Sequence, residues 1–371
     1  MEIIEGSAPF CDGELVVDGH GLVALPGMID LHGDMLEREI EPRPGARFPV
    51  DMALLELDKR LAAAGVTTAY AAISFHEGAN RTSLRNAERA QSIAVAIDTL
   101  RDQLLIDMRV HARFEITHPQ VVPILADLLQ AGQVQLVSLT DHTPGQGQYR
   151  DIEAFIDRMA EYRKVSREEI AANTHARLLQ SEPPSWEIVR EITRLAQGGG
   201  VLIASHDDDT HAKVELVHGL GATICEFPVS LEAAEAARSR GMHVVMGAPN
   251  ALRGGSHSGN LSALEAIEAG LVDVLAADYY PGALLFAVFH LAQRGILPLH
   301  AASRLVSQNP ATALGLTECG ALVVGNMADI MLVEPGYSPR VRGTLRAGAP
   351  IYWDSFLASR VRQPSTVSLA S

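Results

Sequence analysis

The sequence has 371 residues, 47% of them hydrophobic and 20% charged, which suits one large barrel or two ordinary domains with a substantial core. Its formal net charge of −15 argues against nucleic acid or an anionic membrane surface as the main partner, although local cations or metal ions still permit an anionic small substrate. The three cysteines lie far apart and no apolar run approaches the roughly 20 residues of a membrane helix, so we expect a cytoplasmic protein without disulfides.

Apolar, β-branched segments alternate with helical patterns along most of the chain. The predicted strands, in chain order, are 23–31, 66–75, 106–115, 133–140, 200–206, 222–227, 242–247 and 272–278. Helical patterns separate them, for example over residues 51–64 and 81–105. Strands that alternate with helices are typical of βαβ units and a parallel sheet. Eight repeats predict an α/β fold with a (β/α)8 barrel, whose chemistry lies at the carboxyl ends of the strands.

The two ends of the chain do not continue this alternation. We expect the catalytic barrel over residues 23–310, preceded by a short N-terminal β segment, residues 1–22. Residues 311–371 are turn-rich and contain the short β-like segments ALVVG, ADIMLVE, VRGTLRAG and PIYW. These ends are expected to form a small, reduced β side domain.

The first predicted strand ends in LPGMIDLHGD, where His32 and Asp34 stand two residues apart. Side chains two apart on a strand point to the same face, so both can reach one metal ion. The Pro26-Gly27 pair near the strand start permits a bulge or a close backbone approach. An ordinary polar pair in a turn is the alternative for an isolated His-x-Asp.

The third predicted strand, IDMRVHARFEI, alternates between two kinds of side chain. Positions such as Met108 and Phe114 are apolar, whereas His111, Arg113 and Glu115 are polar or charged. One face should therefore pack on helices while the other faces a polar space. If Glu115 binds a metal, His111 and Arg113 are expected to orient it from the same face.

Six metal-ligand candidates fall at or just past predicted strand ends: His32, Asp34, Glu115, His142, His206 and Asp278. Imidazole and carboxylate groups bind borderline or hard divalent ions such as zinc, manganese or iron. Taken singly, each has a structural alternative: Glu115 as an ion pair with Arg113, Asp278 as a helix cap, and His206 beside a helix start. Their joint placement at barrel strand ends favours a site for one or two divalent ions.

A glycine- and serine-rich segment, APNALRGGSHSGN, follows the seventh predicted strand and precedes a helix from about residue 261. Glycines let the backbone approach a ligand, and arginine can grip phosphate with two hydrogen bonds. A flexible surface loop is the alternative, and Arg43 in EPRPG is as well explained as a solvated loop residue. The phosphate-binding candidates are Arg43, Arg253, Gly254, Gly255, Ser256, His257 and Ser258.

Several long segments make the sequence resemble the metal-dependent amidohydrolase superfamily and, within it, the diphosphatases of the carbon–phosphorus lyase pathway. The resemblance rests on LPGMIDLHGDMLEREIEPRPG, LAAAGVTT, HARFEITHP, LVSLTDHTPGQGQ, ASHDDDTHAKVE, EFPVSLEAA, MGAPNALRGGSHSGN, ADYYP and LVSQNPATALGL. It implies hydrolysis of α-D-ribose 1-methylphosphonate 5-triphosphate to the 5-phosphate and pyrophosphate. It also implies that the six strand-end candidates hold the metal, for which we expect zinc, with manganese or iron as alternatives. For this reaction, Asp278 is our candidate to orient or deprotonate the attacking water, besides touching a metal.

Two departures from the superfamily pattern concern the metal site. Asp34 stands where most members have a second histidine, and the barrel strands offer no evident lysine to bridge two ions, so Glu115 is the expected substitute. Two other functions stay open: an amidohydrolase or deaminase that cleaves a C–N bond, and a non-catalytic subunit of a phosphonate-processing assembly. The expected partner is a phosphorylated ribose, with no nucleic acid and no membrane, while self-association into a homo-oligomer stays open.

Overall fold

The computed structural model describes residues 16–76, 86–180, 183–256 and 259–362. The strands are β1 (Val16–Val17), β2 (Val23–Pro26), β3 (Met28–Gly33), β4 (Val66–Phe75), β5 (Asp107–Glu115), β6 (Leu136–Thr140), β7 (Leu202–His206), β8 (Ala222–Glu226), β9 (His243–Gly247), β10 (Val274–Ala276), β11 (Ile330–Glu334), β12 (Arg340–Arg346), β13 (Ala349–Trp353) and β14 (Val361–Arg362). The α-helices are α1 (Leu36–Ile40), α2 (Val50–Ala63), α3 (Ala87–Leu100), α4 (Val122–Gln130), α5 (Ile152–Arg163), α6 (Arg167–Gln180), α7 (Trp186–Gly198), α8 (His211–Gly219), α9 (Leu231–Ser239), α10 (Ala248–Arg253), α11 (Ala263–Glu268), α12 (Gly282–Gln293), α13 (Leu299–Arg304), α14 (Gln308–Ala313) and α15 (Ser355–Ala358). Short 3-10 turns cover Arg101–Gln103, Pro119–Val121 and Gly147–Tyr149.

Eight parallel strands form a nearly closed barrel in the order β10-β9-β8-β7-β6-β5-β4-β3, which confirms the predicted (β/α)8 architecture. The circle closes between β10 and β3 through an isolated bridge that pairs Gly33 with Asp278. There the Asp278 N–H donates to the His32 carbonyl (2.9 Å), and the Asp34 N–H donates to the Asp278 carbonyl (2.8 Å). The barrel therefore closes through the backbone of residues that were predicted to carry chemistry.

The stretch predicted as one strand over residues 23–31 is two strands that belong to different sheets. β2 pairs antiparallel with β11 in the side sheet, whereas β3 pairs parallel with β4 in the barrel. The break falls at Gly27, whose N–H donates to the Asp329 carbonyl (2.8 Å). A Cβ added at Gly27 would lie 2.4 Å from the Thr67 side chain. The expected close approach near Pro26-Gly27 is thus present, and it joins the side sheet to the first barrel strand.

The side sheet has the strand order β13-β12-β11-β2, and β1 pairs separately with β14. Three of the four predicted C-terminal β segments form these strands, but ALVVG does not. Leu322, Val323 and Val324 are exposed and lie in a loop with no strand partner among the described residues. The domain boundaries at residues 22 and 310 stay predictions.

The core lies between the barrel and its surrounding helices. All ten residues of β4 are buried, as expected for a parallel strand covered on both faces. On β5, Met108 and Phe114 join the apolar layer under the helices, so the predicted alternation is correct.

Cys225 and Cys319 are buried free thiols. No helix within the described ranges is long and apolar enough to span a membrane.

Candidate active site

Three side chains meet inside the barrel near its carboxyl end: His32 of β3, His111 of β5 and Glu226 of β8. All three are buried, and one potential ligand atom from each lies within 4.8 Å of the others. Glu226 Oε1 is 3.3 Å from His32 Nδ1 and 3.5 Å from His111 Nε2. Ser138 Oγ donates to Glu226 Oε2 (2.8 Å), which holds the carboxylate in place from the neighbouring barrel wall. These side chains form the inner group of the site.

Burial and the Glu226 charge oppose each other in the inner group. Burial favours the neutral acid at Glu226, but the surrounding His111 and His32 outweigh it and hold its pKa well below the usual range. Burial lowers the pKa of His111 to about 3, so this imidazole is neutral near neutral pH. At His32 burial acts in the same direction, but the Glu226 carboxylate outweighs it and the pKa is raised. The inner group therefore contains a buried carboxylate and a neutral imidazole.

A second set, the outer group, consists of His142 after β6 and His206 and Asp207 at the end of β7. Their potential ligand atoms also lie within 4.8 Å of one another. Burial lowers the pKa of His206 well below its usual range and raises the pKa of Asp207 to about 7. The His206 Nε2 atom lies 3.6 Å from Asp207 Oδ2. Because the outer group lines an open cavity, its atoms are accessible to a ligand from solvent.

The inner and outer groups adjoin. The imidazole rings of His32 and His206 stack with centroids 5.3 Å apart, and His206 Nδ1 lies 3.1 Å from Glu226 Oε2. Glu226 therefore contacts histidines of both groups through its two oxygens. Phe227 packs edge-on against both rings, with centroids 5.0 Å and 5.2 Å away.

Several strand ends at the site have backbone conformations that favour glycine but carry other residues. Asp207, Phe227 and Asp278 have φ values of 56°, 52° and 56°, and follow β7, β8 and β10. A left-handed conformation at a non-glycine residue costs of order 1–3 kcal/mol and persists only where the surroundings enforce it. These three strand ends, which place side chains at the site, therefore lower the stability of the barrel locally.

The donor atoms fit a divalent metal ion. Buried atoms without a hydrogen-bond partner among the described residues gather here: His32 Nδ1, Asp34 Oδ1, both ring nitrogens of His111, and Glu226 Oε1. Although His32 Nδ1 is close to Glu226, it is not aligned for a hydrogen bond. An unsatisfied buried polar atom costs about 1–3 kcal/mol, so five together call for a ligand. Imidazole nitrogens and carboxylate oxygens are suited to zinc and similar ions.

Glu115, the predicted bridging carboxylate, lies in neither group. Its Oε2 is 2.6 Å from His142 Nδ1, and its Oε1 accepts the His142 backbone N–H at 3.0 Å. Burial raises the pKa of Glu115, but the His142 hydrogen bond and charge outweigh it and the net shift is downward. A carboxylate in this position fixes the ring orientation and tautomer of a histidine that binds a metal. Glu226 holds the central position expected of Glu115.

Asp34 and Asp278 lie beside the two groups. Burial, then the nearby Asp34 charge, raises the pKa of Asp278 to about 6. Arg113 extends between these carboxylates and the outer group: its Nη1 is 4.0 Å from Asp34 Oδ2 and its Nη2 is 3.4 Å from His142 Nε2. The structure thus brings all six predicted ligand candidates to one end of the barrel, with Glu115 one contact removed.

A cavity of about 490 Å³ opens above these groups. Its floor carries the outer group with His32, Asp34 and Asp278, and its walls carry arginines, neutral polar groups and apolar groups. The wall residues are Arg38, Arg113, Gln148, Tyr149, Phe227, Pro228, Val229, Met246, Gly247, Asn250, Arg253, Gly255, Ser256, Asn260, Leu261 and Tyr279. A cavity with charged walls above a possible metal site suits a small anionic substrate.

The sequence of α-D-ribose 1-methylphosphonate 5-triphosphate diphosphatase from Escherichia coli (strain K12) is 36% identical to this chain over 350 residues. The match covers 90% of this chain and 92% of the relative. The chain belongs to this diphosphatase family. It is a hydrolase. No family model matches the sequence.

Solved structures of low sequence identity share the fold of this diphosphatase-family chain. A prolidase complexed with N-methylphosphonate-L-proline superposes with a TM-score of 0.59 at 13% identity, covering 91% of this chain and 89% of the other. A β-aspartyl dipeptidase from Fervidobacterium islandicum AW-1 gives 0.58 at 18% identity, with coverage of 90% and 86%. An N-acetylglucosamine-6-phosphate deacetylase from Pasteurella multocida gives 0.54 at 13% identity, with coverage of 90% and 88%. These likenesses establish the barrel architecture alone.

The predicted phosphate loop of this diphosphatase-family chain is partly helical. Residues 248–253 form α10, and Gly254 caps it with φ 76°. Arg253, Gly255 and Ser256 line the cavity, whereas Gly254 does not. Pro249 lies at the helix start, where its fixed φ favours helix formation. The glycines and serines of the segment instead led to the prediction of a loop. His257 and Ser258 lie outside the described residues.

The rim contains one predicted residue that does not reach the cavity and one unpredicted residue that does. Arg43 lies in an exposed turn, bridged to Ala46, and does not line the cavity. Arg38 on α1 lines it instead, over the ring of Tyr279 at 5.8 Å. The segment EREIEPRPG contains both arginines, and the short helix α1 decides which one faces the site.

Proposed function

We propose that this chain catalyses the metal-dependent hydrolysis of α-D-ribose 1-methylphosphonate 5-triphosphate to the 5-phosphate and pyrophosphate, in phosphonate catabolism. The observation that carries the proposal is the cavity itself. Metal-binding groups form its floor, and Arg38, Arg113 and Arg253 lie on its walls in a chain of net charge −15. Cations concentrated at one cavity of an acidic protein suit a polyphosphate substrate. The name of the Escherichia coli relative supports the same reaction.

The proposed metal ligands are the inner and outer groups, with Asp34 and Asp278 completing the coordination. Zinc fits the mixture of imidazoles and carboxylates, and two adjoining groups suit two ions. A divalent ion bound there would polarise a phosphoryl oxygen and lower the pKa of a bound water. Glu115 would then orient His142, and Ser138 would orient Glu226.

The protein's own side chains would position the substrate and move the proton. Asp278 lines the cavity beside Asp34 and is the proposed acceptor for the proton of the attacking water. Arg113 reaches between Asp34 and His142, where negative charge develops on the transferring phosphoryl group. Phosphoryl transfer depends chiefly on such positioning and charge stabilisation. Arg253, Gly255 and Ser256 are proposed to bind the polyphosphate end.

The test is an assay of the purified, metal-analysed protein with the ribosyl triphosphate, followed by phosphorus NMR of the products. The expected products are pyrophosphate and the ribosyl 5-phosphate in equal amounts. Orthophosphate as the first product would contradict the proposed bond cleavage. A parallel panel of cyclic amides and dipeptides tests the C–N alternative, and turnover of any of these without phosphohydrolysis would overturn the proposal.

A further inference from the structure

Apart from Arg113, which is held between Asp34 and His142 of the floor, the walls of the cavity differ in charge from one side to the other. Arg38, Tyr279 and Arg253 form the cationic wall. Arg38 lies on α1 after β3, Tyr279 follows β10, and Arg253 ends α10 after β9. The facing wall, the neutral wall, consists of Gln148 and Tyr149 from the connection after β6 together with Asn260. Because β6 and β10 are the fourth and eighth strands of the ring and lie across it from each other, Gln148 and Tyr149 face Tyr279, whereas the connection after β9 contributes Arg253 to one wall and Asn260 to the other.

The cationic wall is a connected set of side chains. The Arg38 guanidinium carbon lies 5.8 Å from the centre of the Tyr279 ring, at the distance of a cation–π contact. Arg253 Nη1 lies 3.5 Å from the Tyr279 hydroxyl oxygen on the same ring. One tyrosine thus positions two arginines that come from separate connections. Over the described ranges, neither guanidinium lies within 4.0 Å of a carboxylate, although the sequence has 45 acidic and 30 basic residues.

The neutral wall is also connected. Asn260 Nδ2 donates to the backbone carbonyl oxygen of Gln148 at 3.4 Å. This hydrogen bond ties the connection after β9 to the one after β6. The Tyr149 ring packs edge-on against Phe155 with centroids 4.8 Å apart, so it is held from behind. Amide groups and a phenol offer neutral hydrogen bonds and a flat apolar face, which suit sugar hydroxyls better than phosphates.

On the basis of the proposed function, we infer that the cavity binds the substrate in one direction. The β- and γ-phosphates lie on the cationic wall, the ribosyl part lies on the neutral wall, and the α-phosphorus lies over the floor between them. Arg38 and Tyr279 are thereby assigned to leaving-group recognition, and Gln148 and Asn260 to the sugar.

This direction selects the bond that breaks. The water oxygen forms a bond to the α-phosphorus while the bond from that phosphorus to the α–β bridging oxygen breaks. The electron pair leaves on the bridging oxygen with pyrophosphate, whose negative charge is met by Arg38 and Arg253. The proton released by the water passes to a carboxylate of the floor. Cleavage between the β- and γ-phosphates would instead require the β-phosphorus over the floor, with one phosphate left for two arginines.

Calorimetric titration of the purified holoenzyme with inorganic pyrophosphate and, separately, ribose 5-phosphate tests the assignment without requiring turnover. Arg38→Gln and Arg253→Gln are each expected to weaken pyrophosphate binding about tenfold or more, the value of a lost charge-assisted hydrogen bond. Both should leave ribose 5-phosphate binding within about twofold, because the sugar wall is intact. Gln148→Ala and Asn260→Ala should show the opposite pattern. Arg304→Gln, an exposed arginine of α13 outside the cavity, is the matched control and should change neither affinity.

Two results would overturn the inference: arginine variants that weaken both ligands equally, and a wild-type enzyme that does not bind pyrophosphate. Thermal melting of each variant verifies folding: the exposed Arg38 and Arg253 variants should leave the midpoint unchanged, whereas Asn260→Ala, which loses the hydrogen bond to the Gln148 backbone, should lower it slightly while the chain stays folded. A kinetic arm compares the ribosyl 5-triphosphate with the corresponding 5-diphosphate, and the arginine variants should lose more kcat/KM on the triphosphate. If the enzyme binds pyrophosphate on the cationic wall but releases none from the triphosphate, the proposed reaction fails while the binding assignment stands.

Discussion

The floor and the rim of the cavity are built differently. His111 and Glu226 of the inner group, which support the floor from inside the barrel, lie within barrel strands, are fully buried and contact partners on several other strands. The rim residues Arg38 and Arg253 lie on short helices in the connections and are exposed. Strand ends fix positions closely, whereas connections vary without disturbing the barrel. On the basis of the proposed function, we expect the floor to determine the chemistry and the rim to determine which substrate reaches it.

Removal of the metal should have the largest effect and should act on the floor alone. Treatment with a chelator is expected to abolish turnover, because the unsatisfied atoms of His32, His111 and Glu226 then have no cation to bind. It should also lower the thermal midpoint, since a ligand that binds only the folded state stabilises it by about 4 kcal/mol at a thousandfold excess over Kd. Activity and melting before and after addition of zinc give the measurement. Full activity in metal-depleted protein would contradict a metal-dependent floor.

The next largest effect distinguishes the two candidate carboxylates. Glu226→Gln should remove most of the bound metal and lower turnover by several orders of magnitude, because Glu226 contacts histidines of both groups. It should also destabilise the chain by about 3–5 kcal/mol, the value for breaking a buried ion pair. Glu115→Gln, the matched control, should keep the metal and lower its affinity about 10–100-fold, as expected when a partner that orients a ligand is lost. Elemental analysis and chemical denaturation of both variants distinguish them.

Asp278→Asn is expected to separate proton transfer from metal binding. Turnover should fall about 10²–10⁴-fold, the usual contribution of a general base, while metal content stays nearly intact. Asn keeps the size of the side chain, and the backbone bonds that close the barrel through residue 278 are unchanged. Metal analysis and steady-state kinetics on the same preparation provide the measurement. Unchanged turnover would exclude Asp278 from the reaction.

The barrel and most of the floor could be predicted from the sequence because each depends on local patterns. Alternating helices and strands, with a polar side chain at each strand end, place His32, His142, His206 and Asp278 at one end of any parallel barrel. Glu226 was missed because ATICEF resembles an ordinary buried strand, and a single acid at its end has a plausible cap or turn role. The sequence did contain one signal. ATICEF is an apolar strand that ends in a carboxylate, Glu226, with no basic residue close to it in the sequence.

Features that depend on relations between strands could not be predicted. His111 was expected only to orient Glu115, yet it lies against Glu226, three strands away on β8. The tilt of the strands brings the middle of β5 level with the end of β3, because His111 pairs with Ala72 while Gly33 pairs with Ala71. Which of Arg38 and Arg43 faces the cavity could not be predicted either, because it depends on the turn of helix α1.

The smallest expected effect tests the seam between side sheet and floor. Gly27→Ala places a methyl group 2.4 Å from the buried Thr67 side chain at the junction of β2 and β3. Because Thr67 is fully buried and branched, the clash should destabilise the chain by about 1–3 kcal/mol, as for other overpacked sites. His32 lies five residues further along β3, so metal content and kcat should stay near wild type. The double variant Gly27→Ala/Thr67→Ala should regain part of the lost stability, as measured by chemical denaturation, because the clashing branch of Thr67 is gone. Gly19→Ala, an exposed position outside helices and strands with open space around the added methyl, is the control and should change stability by less than about 0.5 kcal/mol. A Gly27→Ala variant that lost its metal would show that the side sheet sets the position of the floor.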